Sequence, residues 1–239
     1  MIRTNRTKKV AGLLSLMAVG SASAVTALVD FGTSNTPTYN QAAIAGPATP
    51  TSTTGVVALN DTTSAPTGWT VTVTGAGSGN AGTAGAGANV SIFPAAVAGF
   101  ETTALQDSIF ANQGGGSNPA MVLTFAGLDS LATYDLLLYG SRNNAQGVDQ
   151  QWTLTEGTGG GLVSHFSEDN QTTAVDWTSV SPNGSGVIEI LLNTDPAGDR
   201  IGALALNFGS ITENAIPEPS GVSLFGLSLG MLFLRRRRN

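Results

Sequence analysis

His165 is the one histidine in 239 residues, so any imidazole proton shuttle or metal ligand in this chain has to use it. It sits in a strand-like stretch, Leu162 to Phe166, and reads as a strand residue facing solvent or a loop. A nucleophilic triad would also need a strained serine, and no G-x-S-x-G occurs. Gly184-Ser185-Gly186 is better read as a turn before a strand. The chain has no cysteine, which excludes thiol catalysis, zinc-thiolate sites and iron–sulfur clusters. Glycosidase chemistry needs two flanking carboxylates, but acids are scattered through the whole middle of the chain, so pairs carry no signal. Calcium takes carboxylate, amide and carbonyl oxygens. Asp30, Glu168 and Asp169 with Asn170, and Asp195 with Asp199 could supply them to a structural calcium. No EF-hand or RTX spacing is present, and each cluster reads first as a solvated turn. No catalytic cofactor is expected. Sugar binding would need an exposed aromatic and polar hydroxyl partners. Trp177, Arg142 and Asn143 are the candidates, whereas Trp69 and Trp152 lie on alternating apolar faces and read as core.

These residues hang on β-strands. Trp69, Val71 and Val73 alternate with threonines. Met121, Leu123 and Phe125 repeat the pattern, as do Trp152 with Leu154, and Ile188, Ile190 with Leu192. Tyr134 to Tyr139 is nearly continuous, and Leu204, Leu206 and Phe208 finish the series. Ala27 to Phe31, Val56 to Leu59, Val90 to Phe93 and Leu162 to Phe166 are weaker candidates. About ten short strands between Gly, Asn, Asp and Pro turns predict a sandwich. Gly75 to Gly87 is low-complexity and reads as a mobile loop, and Gln113 to Asn118 and Gly157 to Gly161 read as further loops.

Charge is sorted along the chain. Of ten basic residues, eight lie at the ends: Arg3, Arg6, Lys8, Lys9 and Arg235 to Arg238. Between Val25 and Ile216 only Arg142 and Arg200 stand against fifteen carboxylates. Nucleic acid, held largely through its phosphates, is excluded as a partner. Only 11% of residues are charged, so the surface is neutral and rich in hydroxyls and amides.

The two ends read as processing segments. A basic start, the apolar run Val10 to Gly20, and small residues at Ala22 and Ala24 make residues 1–24 a secretory signal peptide, expected as a helix. Residues 25–214 form the folding unit. Residues 215–239 hold Pro217-Glu218-Pro219, an apolar stretch from Val222 to Leu234, and Arg235, Arg236, Arg237 and Arg238. Thirteen apolar residues make a transmembrane helix of only about 20 Å. The arginines would stop it on the cytoplasmic side. This tail resembles the PEP-CTERM sorting domain. The resemblance implies an exosortase-type membrane enzyme as partner, processing near the Pro-Glu-Pro motif. It also implies transient anchoring in the inner membrane and an extracellular-polysaccharide setting.

Phe125 to Arg142, Val180 to Leu192, and Ile201 to Phe208 as a last strand beside Leu28 to Gly32 resemble jelly-roll, galactose-binding-like domains. That resemblance implies an all-β, two-sheet antiparallel β-sandwich. The expected function is that of an exported, non-enzymatic cell-surface or matrix protein, structural or adhesive within exopolysaccharide. A carbohydrate-binding module is the alternative, and a hydrolase without a recognisable motif the third.

Overall fold

The computed structural model describes residues 24–32, 38–43, 52–76, 78–80, 108–112, 120–141, 149–167, 173–195 and 203–215. Within them, period-two alternation becomes strand structure wherever one face can be buried. Met121, Leu123 and Phe125 are fully buried while their neighbours are not, and Ile188, Ile190 and Leu192 do the same. The strands are β1 (Val25–Asp30), β2 (Asn40–Gln41), β3 (Ser52–Thr53), β4 (Val57–Asn60), β5 (Pro66–Ala76), β6 (Ser78–Asn80), β7 (Ser108–Asn112), β8 (Ala120–Ala126), β9 (Tyr134–Tyr139), β10 (Asp149–Glu156), β11 (Leu162–Phe166), β12 (Val175–Val180), β13 (Ile188–Thr194), β14 (Ala203–Leu206) and β15 (Phe208–Glu213).

They form three sheets. The first runs β12-β9-β15-β1-β2, antiparallel except for the parallel β1–β2 pair. The second runs β11-β10-β13-β8-β5-β3, with β4 also on β5. The third is β14-β7-β6. One apolar core joins them. Val29, Leu136 and Ile211 enter it from the first sheet, Val71, Leu123 and Trp152 from the second, and Ile109, Leu204 and Leu206 from the third. Each such side chain contributes about 1.5–3 kcal/mol of burial. The architecture is therefore all-β and sandwich-like, as the alternation predicts.

Three expectations change. Leu204 to Phe208 is not one strand: it breaks at Asn207, with β14 in the third sheet and β15 in the first. The last strand beside β1 is consequently Phe208–Glu213, with Val25 opposite Glu213 and Asp30 opposite Phe208. Part of the glycine-rich Gly75 to Gly87 stretch is strand, because β5 runs on through Ala76 and β6 pairs with β7. A partner edge supplies backbone hydrogen bonds whatever the side chains, so pairing overrides weak strand propensity. The strand β7 has no strong alternation in sequence and forms by the same means. Val90 to Phe93, Gln113 to Asn118 and both expected helices lie outside the described residues. No helix among the described residues is long and apolar enough to cross a membrane.

The Gly184-Ser185-Gly186 turn forms as expected. Asn183 Oδ1 accepts from the Ser185 and Val187 amides at 2.9 and 3.0 Å. Gly186 has φ +72°, and an added Cβ would collide with the Leu128 carbonyl oxygen, whereas Gly184 has open space. Gly186→Ala is expected to destabilise the fold by about 1–3 kcal/mol, and Gly184→Ala by less than about 1 kcal/mol. Urea unfolding of the two variants checks this order.

Candidate functional site

Strand register sorts the sandwich into two poles. At one, Val25 faces Glu213, Glu213 faces Tyr134, and Tyr134 faces Val180. The turns here are short and closed by side chains. Asp61 Oδ1 accepts from the Thr63 amide and hydroxyl and the Ala65 amide, which holds its carboxyl below the usual range. The Asp129 amide donates to Tyr134 Oη at 2.8 Å, and burial pushes that phenol up to about 12. Burial and the Asp129 charge raise the Glu213 carboxyl.

The other pole carries the unusual chemistry. Here β1 ends, β9 runs into Gly140 and Ser141, β10 begins, β11 ends, and the chain crosses from β14 to β15. Among the described residues, Asp30, Ser141, Gln150, His165, Ser167 and Asn207 are buried polar residues at these strand ends, and buried Ser108 starts β7. Asn207 holds the crossing. Its amide donates to Tyr139 O at 2.9 Å, its carbonyl accepts from Phe31 N at 2.8 Å, and its Oδ1 accepts from Ser141 N at 2.7 Å.

His165 belongs to this pole and is buried, not facing solvent or a loop. Its strand has Val163 and His165 on the inward face, opposite Trp152 and Gln150. The imidazole Nε2 lies 2.8 Å from Gly140 O. A carbonyl only accepts, so Nε2 carries the proton, and Nδ1 is the basic nitrogen of the neutral ring. The Trp152 ring meets the imidazole edge-on at 5.3 Å. Burial lowers the His165 pKa, partly opposed by the Gly140 bond. Gly140 is tightly enclosed: a Cβ there would strike Ala205 O and stand 3.2 Å from Trp152 Cζ2. His165 thus clasps the second sheet to the end of β9 in the first.

Gln150, opposite His165, is fully buried. Its Oε1 accepts from Trp152 Nε1 at 3.0 Å, while its Nε2 has no hydrogen-bond partner. The sequence signal for Gln150 was its place two residues before Trp152 on the same face. Nothing local marks Asn207 or Ser167.

The other candidates are dispersed. Asp195 is tied down, with Oδ1 accepting from Gln151 Nε2 at 3.0 Å and Oδ2 from Ser164 Oγ at 3.3 Å. Asp30 is fully buried at the end of β1, in the other sheet. Among the described residues no group of three or more His, Asp or Glu could hold a metal ion. Trp177 is 6% exposed and faces the core from β12, so it offers no platform for a sugar ring. Its alternation with exposed Asp176 and Thr178 explains why: the inward position is the apolar one. Trp69 and Trp152 are core, as expected. Ala24 is exposed just before β1. Ala22, Arg142, Asn143, Glu168, Asp169, Asp199, Pro217, Glu218, Pro219 and Arg235 to Arg238 lie outside the described residues.

No protein-family model matches the chain, and no curated protein matches it. Among solved structures, an arabinose-bound GH51 α-L-arabinofuranosidase is similar over 46% of this chain at 15% identity, with a TM-score of 0.28. The chain spans 20% of that enzyme's length. A likeness this slight assigns neither fold nor activity.

The His165 clasp has a pH signature. Its folded pKa is below the ordinary 6.5, so its stabilising effect is complete above pH 6.5 and is lost as pH falls below that value toward the folded pKa. The loss should approach about 1.4 kcal/mol per pH unit for one proton. Replacing His165 with Gln should remove this slope while costing stability at neutral pH. Denaturant unfolding at stepped pH between neutrality and mild acid checks both outcomes.

Proposed function

We propose that this chain is an exported surface or matrix protein, structural or adhesive, sorted by its C-terminal segment. The observation that carries the reading is the pairing of β1 with β15. Val25 lies opposite Glu213, so the segments before and after the sandwich join it side by side at one pole. A domain tethered through its C-terminal end is thereby held by that pole. In this reading Pro217, Glu218 and Pro219 mark the processing site for an exosortase-type enzyme. The apolar residues 222–234 and Arg235 to Arg238 hold the chain in the inner membrane until processing. The ectodomain is a jelly-roll-like sandwich, a reading supported by antiparallel sheets and by first and last strands that pair.

A sugar-stacking carbohydrate module is less favoured. All three tryptophans and all three tyrosines of the chain are buried, at 8% exposure or below. Stacking on a sugar ring needs an open aromatic face, and none of these six offers one. Adhesion here would rest on the hydroxyl, amide and carboxylate surface.

Intact mass of the protein recovered from the envelope and the medium of its host tests the reading. The expected species begins at Val25 and ends near Pro217-Glu218-Pro219. A species retaining Arg235 to Arg238 in both fractions would replace sorting with simple anchoring.

A further inference from the structure

The first strand begins where the expected signal cleavage falls. β1 starts at Val25, and Ala24 is exposed just before it. Register fixes what the Val25 nitrogen faces. Opposed residues in an antiparallel pair alternate between hydrogen-bonded and non-hydrogen-bonded partners. Phe31 N donates to Asn207 O at 2.8 Å, one step beyond the Asp30–Phe208 pair, so Phe31 and Asn207 are of the hydrogen-bonded kind. Val25 and Glu213 lie six steps along the same ladder, an even number, and are of that kind too. Between them, the Thr26 and Thr212 hydroxyls touch at 3.0 Å, as the closer side chains of a non-hydrogen-bonded pair do. The Val25 nitrogen therefore points across the ladder at Glu213, with the two Cα atoms about 5.5 Å apart.

Glu213 shares its face with Val25 on one side and Tyr134 on the other. This is the inward face: Tyr134 is buried and Val25 packs on the core. The half-buried Glu213 carboxyl is raised by its removal from water and by the negative charge of Asp129, in the turn between β8 and β9. Other acids stand around it. Asp135 on β9 accepts from Asn214 Nδ2 at 2.9 Å and from Ser179 N at 2.8 Å. Asp61 precedes Thr62, whose amide donates to Thr26 O at 2.9 Å. No lysine or arginine stands among the described residues, and the one histidine is at the other pole.

We propose that removal of residues 1–24 supplies the missing counter-charge: the new α-ammonium of Val25 forms an ion pair with the Glu213 carboxylate. This rests on the export reading above. The host's signal peptidase adds water across the Ala24–Val25 peptide bond, leaving a carboxylate on Ala24 and an ammonium on Val25. In the uncut chain the Val25 nitrogen is an amide with one hydrogen, used in the ladder. After cleavage it has three, and two are free for the carboxylate, whose side chain starts directly opposite. Loss of Ala24 opens room for it at the strand end. Hydrogen bonds between charged groups are shorter and stronger than neutral ones. Cleavage thus ties the outer end of the first strand to the outer end of the last, at the pole where the C-terminal segment leaves.

A chain beginning at Val25 has one amine, because Lys8 and Lys9 are its only lysines and both are removed. Reductive methylation with 13C-formaldehyde of the protein recovered from its host therefore labels Val25 alone, and NMR follows its titration. The expected midpoint is about one pH unit above that of the same label in urea, in keeping with an opposite charge close by. Glu213→Gln should lose most of that rise. Acetylating the α-amine should lower the urea midpoint of the wild-type protein and leave that of Glu213→Gln nearly unchanged. An amine that titrates alike in wild type and Glu213→Gln, or acetylation that costs both equally, would overturn the ion pair and leave the export reading standing. A recovered chain whose mass retains Lys8 and Lys9 would overturn the cleavage and the ion pair with it.

Discussion

The crossing at Asn207 sets the register on which the first sheet depends. Three backbone and side-chain bonds from this one residue fix where the chain leaves β14 and where β15 begins between β9 and β1. In a sheet whose inward face carries Val29, Leu136, Leu138 and Ile211, register is not free to drift. A slip of one residue would turn these side chains out of the core and expose them to water. The amide side chain matters because Ser141 N is buried and needs an acceptor there. An apolar residue of similar size would leave that donor unpaired.

The polar pole is built by the same logic. Removing Gln150, His165 and Ser141 from water carries a desolvation penalty, offset where hydrogen bonds are made inside. The bonds run between sheets as well as along them. His165 reaches Gly140 across the sandwich, and Gly140 can be approached only because it lacks a Cβ. Trp152 fills the space between them, with its ring against His165 and its N–H on Gln150. Burial of this tryptophan, about 3–5 kcal/mol against alanine, therefore also orders the polar groups around it. The sheets are locked at this end by directional contacts as well as by the non-directional core.

The opposite pole shows how different the two ends are. There the turns close on themselves through Asp61, Asp129 and Asn183, each accepting backbone amides a few residues on. Such turns are local and self-contained. They surround the place where the two flanking segments join the sandwich. One end thus carries the paired outer ends of the first and last strands, and the other a buried cluster of amide, hydroxyl and imidazole.

Most of the layer pattern was legible in the chain. Alternation in Trp69 to Val73, Met121 to Phe125 and Ile188 to Leu192 depends only on which side chains avoid water, and that preference is local. The buried tryptophans Trp69 and Trp152 followed from the same rule. The sorting of charge along the chain was likewise readable without a fold. What required tertiary structure were positions decided by partners far away in sequence. Asn207 breaks an apolar run because Tyr139, Phe31 and Ser141 are there to bind it. Ser78 to Asn80 is strand because β7 offers an edge. His165 is buried because Gly140, 25 residues earlier, presents a carbonyl to it across the sandwich. Sequence determined which faces were apolar; only the assembled sheets decided which polar groups would be enclosed with them, because a polar side chain can be buried only where the rest of the fold brings it a partner.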